Sequence, residues 1–436
     1  MHRLVLAVLA LLVPVLVTAQ SPKVELRRNL RLSGSSLSAY PGPKQLRLTP
    51  APRGKHPFRI SFFGRYGSCF MASAADYDYA YEVLLCANQQ RALSRLGIDV
   101  LHRLADMRRE VEGHLGELTP LGIEQQRDIA RRMVERFPEV FGEGALVDAR
   151  VAATPRSAHS MAELLAQLRA LSPLLHVRMD SSLVDRSVPL AVGPTASCHA
   201  AQTLSAFCQK RQSWQRTVGQ LFADTAYMNR YVDGERLNYY LFREASGLQN
   251  MELRKSITLY DLFTDKEIYD NWARENATWF VKFGVSDMSG GQLTFLQASL
   301  LRSLIAQTDS TLHLARPGCM LRYGHEEVFL PLVCLLGLNG FGQKINNLNS
   351  LDRKGWACYR ILPMAANLQL VFYRSGAADD DILFKVLLNE NEATLPLKTD
   401  CQPYYHWSDF RSYYLKMLDD YEASTQQSYH YENRKH

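Results

Sequence analysis

Residues 60–70 read ISFFGRYGSCF. The apolar and aromatic run over residues 58–63 is typical of a buried strand, and it is followed at once by a loop that carries Gly64 and Gly67. Glycines allow the chain to turn sharply where a strand ends. This stretch therefore predicts a buried strand that delivers Arg65 to a loop at its carboxyl end.

The next part of the chain has a helical pattern. Two long amphipathic segments occupy residues 76–141, and between them Thr119 and Pro120 have the residue types of an N-cap and a first helical position. Residues 148–154 then alternate between apolar and polar side chains, as a strand does. We expect this second strand to deliver Arg156 to another loop.

The middle of the chain, residues 172–315, has long helical patterns and predicts a helical insert. Sheet-like runs return after it, and the first of them, residues 319–323, ends just before His325. The carboxyl ends of parallel strands meet at one edge of a sheet. We therefore expect Arg65, Arg156 and His325 to converge on one crevice.

The order of these elements predicts an α/β fold whose core sheet is split in sequence by an α-helical domain. No internal repeat is evident. The predicted units are a signal peptide (residues 1–19), an extended N-terminal arm (20–54), a discontinuous α/β domain (55–171 and 316–415), the helical insert (172–315) and a polar C-terminal tail (416–436).

The N-terminus has the composition of a secretory signal. His2 and Arg3 precede an apolar run over residues 4–17, which ends in small residues just before Gln20. The run is short for a membrane span and Pro14 interrupts it, so we expect cleavage near Gln20 and no span in the mature protein. The product is predicted to be secreted or periplasmic.

Charge and cysteine usage exclude some classes of function. The formal net charge of +6 is small for 436 residues, and the basic residues are dispersed, which argues against nucleic-acid binding. A small anionic ligand fits this balance better. The eight cysteines form no CxxC pair and show no zinc-like spacing with histidine, so we expect no metal.

Four separated segments form a more specific pattern. They are residues 60–70, 116–125 (GELTPLGIEQ), 153–161 (ATPRSAHSM) and 321–327 (LRYGHEE), with PMAANL at 363–368 and LLNE at 387–390 further on. Over about residues 55–415 the chain thereby resembles the histidine acid phosphatases, which have a phosphoglycerate-mutase-like α/β fold. Within that family it is similar to the multiple inositol polyphosphate phosphatase branch.

The resemblance implies a chemistry. In that family a neutral imidazole attacks phosphorus, arginines and a second histidine stabilise the transferring group, and a carboxylic acid protonates the leaving oxygen. On this chain it implies that Arg65 and Arg156 bind phosphate. It further implies that His325 adds a donor and that Glu327 is the acid. The implied ligand is a phosphorylated small molecule such as an inositol phosphate, and no cofactor is implied.

Two positions depart from the family pattern. Tyr66 stands where the nucleophilic histidine is required, and Cys69 replaces the second arginine of the same loop. A phenol has an ordinary pKa near 10, so little phenolate exists at neutral pH, and a phosphotyrosine ester would be slow to hydrolyse. Loss of the guanidinium at position 69 weakens phosphate binding without abolishing it. The sequence predicts a severely weakened enzyme.

The sequence is compatible with three functions. The leading one is an impaired phosphatase that binds phosphorylated ligands. The second is an active phosphatase with an altered mechanism, in which Glu327 is the acid and either water or His325 attacks, and a less favoured variant uses Cys69 as the nucleophile. The third is a non-catalytic interaction protein that does not use the crevice.

Overall fold

A computed structural model describes residues 21–151, 154–179, 198–289 and 293–433 of this protein. The predicted signal peptide lies outside the described residues, as do residues 180–197 of the predicted insert. The predicted polar tail, which starts at residue 416, continues the last helix of the chain as far as Asn433.

One mixed sheet forms the centre of the fold. Its strands are β1 (His56–Arg65), β2 (Leu146–Val151), β3 (His176–Met179), β4 (Gly318–Gly324), β5 (Asn367–Arg374), β6 (Leu383–Leu388), β7 (Asn391–Ala393) and β8 (Tyr405–His406). The order across the sheet is β3-β2-β4-β1-β5-β6-β7, and β8 pairs with β6. The four strands from β3 to β1 are mutually parallel, whereas the later strands pair antiparallel.

The helices account for most of the remaining chain. They are α1 (Pro22–Arg28), α2 (Ala75–Gln89), α3 (Arg95–Val111), α4 (Pro120–Arg136), α5 (Pro155–Leu171), α6 (Cys198–Gln209), α7 (Gln215–Gly219), α8 (Thr225–Tyr231), α9 (Gly234–Leu248), α10 (Asp265–Phe283), α11 (Ala298–Leu312), α12 (Glu326–Leu335), α13 (Cys358–Ile361) and α14 (Trp407–Asn433). Within the part of the chain that is covered, every helix is too short or too polar to span a bilayer.

Helices cover both faces of the sheet. On one face Ile129 of α4 and Leu164 of α5 pack in the same cluster as Ile60 of β1. On the other face Phe329 of α12 shares a cluster with Phe372 of β5, and α10, α11 and α14 contribute to it as well. Burial of each such side chain stabilises the fold by roughly 1.5 to 3 kcal/mol. The predicted α/β fold class is confirmed.

A third cluster joins helices from distant parts of the sequence. Leu84 of α2 and Leu104 of α3 pack with Leu241 of α9. The helical layer is therefore built from the predicted insert together with the helices that follow β1. The predicted insert also contains β3, a four-residue strand that extends the parallel half of the sheet beside β2.

The N-terminal segment differs from the extended arm that its composition predicts. It contains α1 and a 3-10 helix, Leu30–Leu37, in which Ser33 and Ser36 are buried. Small polar residues can be buried where their hydrogen bonds are satisfied. Ser33 Oγ donates to the carbonyl of Leu30, 2.6 Å away, so a run that resembles a linker packs against the fold.

Candidate functional site

The site lies at the carboxyl ends of neighbouring parallel strands. β1 ends at Arg65, which is level with Gly324 at the end of β4. His325 follows β4 and begins α12, and Arg156 lies in the first turn of α5, shortly after β2. Three strand ends thus lie at one edge of the sheet. Arg65 and Arg156 line the same cleft there, whereas His325 is not among its described lining residues.

Two glycines allow the start of α4 to approach the loop after β1. A Cβ atom on Gly67 would lie 2.6 Å from the carbonyl oxygen of Gly122, and one on Gly122 would lie 2.0 Å from that of Ser68. Either distance is shorter than real contacts allow. Thr119 is the N-cap, as predicted, and its side chain accepts a hydrogen bond from Gly122 N. The GELTPLG stretch therefore supports the loop that carries Tyr66.

Arg65 is held in one orientation by several partners. Its side chain is only 1% exposed. Nη1 donates to the carbonyl oxygens of Ser36 and Leu362, at 2.7 and 2.9 Å. Nε lies 3.6 Å from Oε2 of Glu326, which gives the buried guanidinium a counter-charge. Ordering of this kind is typical of a positioned binding group rather than of a surface arginine.

Tyr66 packs against two guanidinium groups. The guanidinium carbon of Arg65 is 4.9 Å from the centre of the Tyr66 ring, and that of Arg156 is 4.3 Å from it. The buried phenol donates a hydrogen bond to Glu326 Oε2. Burial raises the pKa of Tyr66 above its ordinary value even though Arg65 opposes the shift. Tyr66 is therefore a neutral phenol at neutral pH.

Arg156 retains unused hydrogen-bonding capacity. Its Nε is buried and has no hydrogen-bond partner among the described residues, while its guanidinium lines the cleft in front of Tyr66. A buried donor that is left unsatisfied destabilises the protein by about 1 to 3 kcal/mol. An anionic ligand would satisfy this donor. The Nε atom of Arg65 is also buried without a hydrogen-bond partner, but it already faces the Glu326 carboxylate, so Arg156 is the better placed of the two to bind an anion.

The carboxylate that enters the site belongs to Glu326. Burial acts to raise the pKa of Glu326, but Arg65 and the Tyr66 hydrogen bond outweigh it and hold the pKa below its usual range. Glu326 is thus ionised at neutral pH. Glu327, to which the resemblance assigns the acid role, is exposed and is not part of the cleft lining. The structure does not bring Glu327 together with Tyr66.

His325 and Cys69 are both uncharged at neutral pH. The His325 ring is half-buried, 6.5 Å from the Tyr66 ring, and burial lowers the pKa of His325. Burial raises the pKa of the Cys69 thiol to about 11, in spite of Arg156 and Arg65. A thiolate nucleophile at position 69 is therefore disfavoured, because only the thiolate attacks readily.

A cleft of about 520 Å³ opens in front of Tyr66. Its far wall comes from α9 and α10, and sequence reasoning missed these residues because they belong to long amphipathic helices. Most of the side chains that these two helices turn toward the cleft are polar or charged, as on an ordinary solvent-facing side of a helix. They include Tyr239, Arg243, Arg274, Glu275, Trp279 and Lys282. The described lining holds five basic and three acidic side chains, an excess that favours an anionic ligand.

The chain is similar in sequence to a known protein over a short stretch. It is similar in fold to solved structures over most of the length of this chain. No protein-family model matches the chain. It is 26% identical over 109 residues to Multiple inositol polyphosphate phosphatase 1 of Dictyostelium discoideum, a match that spans 24% of this chain and 17% of that relative.

Solved structures match over much more of the chain. The Bifidobacterium longum multiple inositol polyphosphate phosphatase, in complex with inositol hexasulfate, superposes with a TM-score of 0.70 at 16% identity, over 87% of this chain and 97% of that one. The phytase from D. castellii gives a TM-score of 0.65 at 13% identity, over 89% and 85%. At these identities the likeness concerns the fold, and this chain shares the α/β fold of those two proteins.

Proposed function

We propose that this chain is an exported relative of the multiple inositol polyphosphate phosphatases that binds a phosphorylated small molecule, such as an inositol phosphate, and hydrolyses it poorly or not at all. The observation that carries the proposal is the contact of Tyr66, at the end of β1, with the guanidinium groups of both Arg65 and Arg156. Two cationic groups that can bind a phosphate are retained there, while the side chain that contacts both of them is a neutral phenol.

Impaired turnover follows from the ionisation of the groups at this position. A phenol whose pKa is raised gives almost no phenolate at neutral pH, and the neutral oxygen is a weak nucleophile. The Cys69 thiol, with a pKa of about 11, does not compensate. Loss of the nucleophile in another hydrolase lowers kcat by about a millionfold, and we expect an effect on that order here.

Retained binding is supported by the donors that remain. Arg156 has a buried Nε without a hydrogen-bond partner in the described chain, and the cleft has an excess of basic side chains. The Bifidobacterium longum protein of similar fold has been solved with inositol hexasulfate and with phosphate. A polyanion with groups around a ring therefore fits both the cleft volume and its charge. Export rests on the signal-like composition of residues 1–19.

The proposal is tested by calorimetry and by phosphate release on the same sample. Wild-type protein should bind inositol hexakisphosphate and release phosphate from it at a rate far below that of a working phosphatase. Arg156→Gln should weaken binding by about tenfold or more, since a charge-assisted hydrogen bond contributes roughly 1.5 to 3 kcal/mol. Arg109→Gln, at an arginine whose side chain is 73% exposed and outside the cleft lining, is the matched control.

Three results would contradict this proposal. Rapid phosphate release by wild-type protein would establish an active phosphatase with an altered mechanism. The absence of any binding of phosphate or inositol phosphates would favour an interaction protein that does not use the cleft. Equal loss of affinity in Arg156→Gln and Arg109→Gln would mean that the ligand binds by overall charge and outside the Tyr66 cleft.

A further inference from the structure

A second group of chemically active side chains lies at the antiparallel end of the sheet. Nε2 of His406 is 3.1 Å from Oδ1 of Asp400 and 4.0 Å from Sγ of Cys401. The three ligand atoms all lie within 4.8 Å of one another. On the other side of the ring, His406 Nδ1 is hydrogen-bonded to Oδ1 of Asp381 at 2.6 Å. None of these residues belongs to the described lining of the Tyr66 cleft.

The fold fixes the positions of these residues. His406 lies in β8 and pairs with Leu383 of β6, so its backbone is part of the sheet. Cys401 lies in a turn closed by two hydrogen bonds: its amide donates to Thr399 Oγ1 at 3.3 Å, and the Tyr404 amide donates to its carbonyl oxygen at 2.9 Å. The histidine and the thiol therefore face each other because of the backbone, and no long flexible side chain is needed to bring them together.

We propose that Asp400, Cys401 and His406 bind a zinc ion, with Asp381 orienting the imidazole through Nδ1. One sulfur, one nitrogen and one carboxylate oxygen form a donor set that suits Zn²⁺. Zinc bonds of about 2.0 to 2.3 Å in tetrahedral geometry separate neighbouring ligand atoms by roughly 3.3 to 3.6 Å. The observed separations of 3.1 and 4.0 Å lie on either side of that range.

The hydrogen bond to Asp381 is an independent feature of a metal site. A histidine that binds a metal through one nitrogen usually donates its other N–H to a carboxylate, which fixes the tautomer and the ring orientation. His406 has this arrangement, since Nδ1 faces Asp381 and Nε2 faces the other two ligands. Asp400 is 82% exposed and His406 is 28% exposed, so an ion and a completing water molecule can reach the site.

The same residues also have the order of a nucleophilic triad, with a thiol, an imidazole and an orienting carboxylate. The geometry and the charge distribution argue against that alternative. His406 Nε2 is 4.0 Å from Cys401 Sγ, longer than the roughly 2.6 to 3.2 Å that joins a nucleophile to its base, and the same nitrogen faces the Asp400 carboxylate at 3.1 Å. Two carboxylates disfavour a free thiolate and favour a bound cation. Nζ of Lys55 is 3.4 Å from Oδ2 of Asp381 and offsets the charge of that carboxylate. The negative charge of Asp400 remains available to bind a cation.

The sequence predicts no metal because this site has no recognised cysteine-histidine spacing. Only Asp400, Cys401 and His406 are close in sequence, and an Asp-Cys-x4-His pattern occurs readily by chance. The distinguishing contact is made by Asp381, which precedes β6 and reaches His406 only because β8 pairs with that strand. The contact between Asp381 and His406, which depends on strand pairing, therefore supports a metal site that the sequence spacing alone does not indicate.

The test uses the mature full-length protein, titrated with Co²⁺ as a spectroscopic probe and with Zn²⁺ in competition. One Co²⁺ per chain should bind with a thiolate-to-metal charge-transfer band, and Zn²⁺ should displace it. Cys401→Ser should abolish the band, and Asp381→Asn should weaken zinc binding by about tenfold to a hundredfold at unchanged stoichiometry. Cys86→Ser removes an exposed thiol elsewhere and should change neither result.

Circular dichroism establishes that each variant is folded before its metal binding is compared. Zinc should also raise the thermal midpoint of the wild type and of Cys86→Ser, and not that of Cys401→Ser, because a ligand stabilises only the state that binds it. A charge-transfer band that persists in Cys401→Ser would overturn the assignment. So would a purified protein in which Cys401 is blocked in a disulfide, or equal zinc affinity in wild type and Asp381→Asn.

Discussion

Tyr66 and Glu326 are joined by a hydrogen bond, which the phenol donates to the carboxylate. The same carboxylate oxygen lies 3.6 Å from Nε of Arg65. Glu326 is therefore the internal counter-ion of an arginine to which the family resemblance assigns phosphate binding. Any phosphate that approaches Arg65 must share that guanidinium with Glu326.

The first prediction is that Glu326→Gln strengthens phosphate binding. The substitution keeps the size of the side chain and removes the charge that competes for Arg65, so affinity should rise by about threefold to tenfold, equivalent to ~0.7 to 1.4 kcal/mol. Glu327→Gln, at the exposed neighbour, should leave affinity unchanged. Calorimetry with inorganic phosphate measures both. Weaker binding in Glu326→Gln would show that the carboxylate, or its acid form, contacts the ligand directly.

The second prediction concerns restoration of catalysis. Tyr66→His together with Cys69→Arg supplies an imidazole nucleophile and a further guanidinium within the same loop. Phosphate release from inositol hexakisphosphate should rise at least about a hundredfold, a small part of the millionfold effect that nucleophile loss can have. Tyr66→Asn with Cys69→Arg opens the same space without a nucleophile and should remain inactive. Equal rates in the two double variants would show that the imidazole is not used.

The third prediction is a pH dependence that depends on Glu275. Burial raises the pKa of this cleft residue to about 7, while Arg243 opposes the shift. Above that pH Glu275 is ionised and repels an anion, and below it the side chain is neutral. Affinity for a polyanion should therefore increase as the pH falls through about 7.

Inositol hexasulfate is the appropriate probe for this dependence, because its sulfate groups do not titrate in that range. Calorimetry between pH 6 and pH 8 should show the increase in wild-type protein. In Glu275→Gln the dependence should flatten, with affinity close to the low-pH value of the wild type. A dependence that survives the substitution would assign the titration to another group.

Much of the site could be predicted from the sequence. The run that ends at Arg65 is the strand it predicts, and the convergence of Arg65 and Arg156 follows from the rule that parallel strands share a carboxyl edge. The choice between Glu326 and Glu327 could not be predicted. Successive residues of a helix point about 100° apart, so only the direction of α12 decides which carboxylate enters the cleft.

Other features depend on partners that are distant in sequence. The strands in the antiparallel half of the sheet have the same kind of apolar runs as those in the parallel half. The pattern of apolar and polar residues in a strand does not by itself determine whether the strand pairs parallel or antiparallel. In the N-terminal segment, the amide of Ala39 donates to Gln249 Oε1 at 3.0 Å, and Ser33 is hydrogen-bonded to Tyr260. Such contacts distinguish a packed segment from a linker. They cannot be predicted from a local sequence that is rich in Ser, Pro and Arg, because the partner residues are far away in the chain.

The fourth prediction tests how far that segment contributes to stability. Tyr40 donates a hydrogen bond to Glu390 Oε2 at 2.8 Å, and Arg132 makes two hydrogen bonds to the same carboxylate, at 2.8 and 2.7 Å. Glu390 is only 1% exposed, and Arg132 is 17% exposed. Removal of one partner from a buried ion pair leaves the other charge uncompensated, which destabilises a protein by about 3 to 5 kcal/mol.

Glu390→Gln should therefore lower the free energy of unfolding by roughly 3 kcal/mol, measured by urea denaturation. The matched control is Glu135→Gln, which breaks an exposed pair with Arg131 and should change the free energy by no more than about 0.5 kcal/mol. Tyr40→Phe removes only the hydroxyl group, and its effect on the free energy of unfolding should lie between those of Glu390→Gln and Glu135→Gln. Equal and small effects in all three variants would mean that the N-terminal segment is held by its apolar and backbone contacts, with little contribution from the Glu390 network.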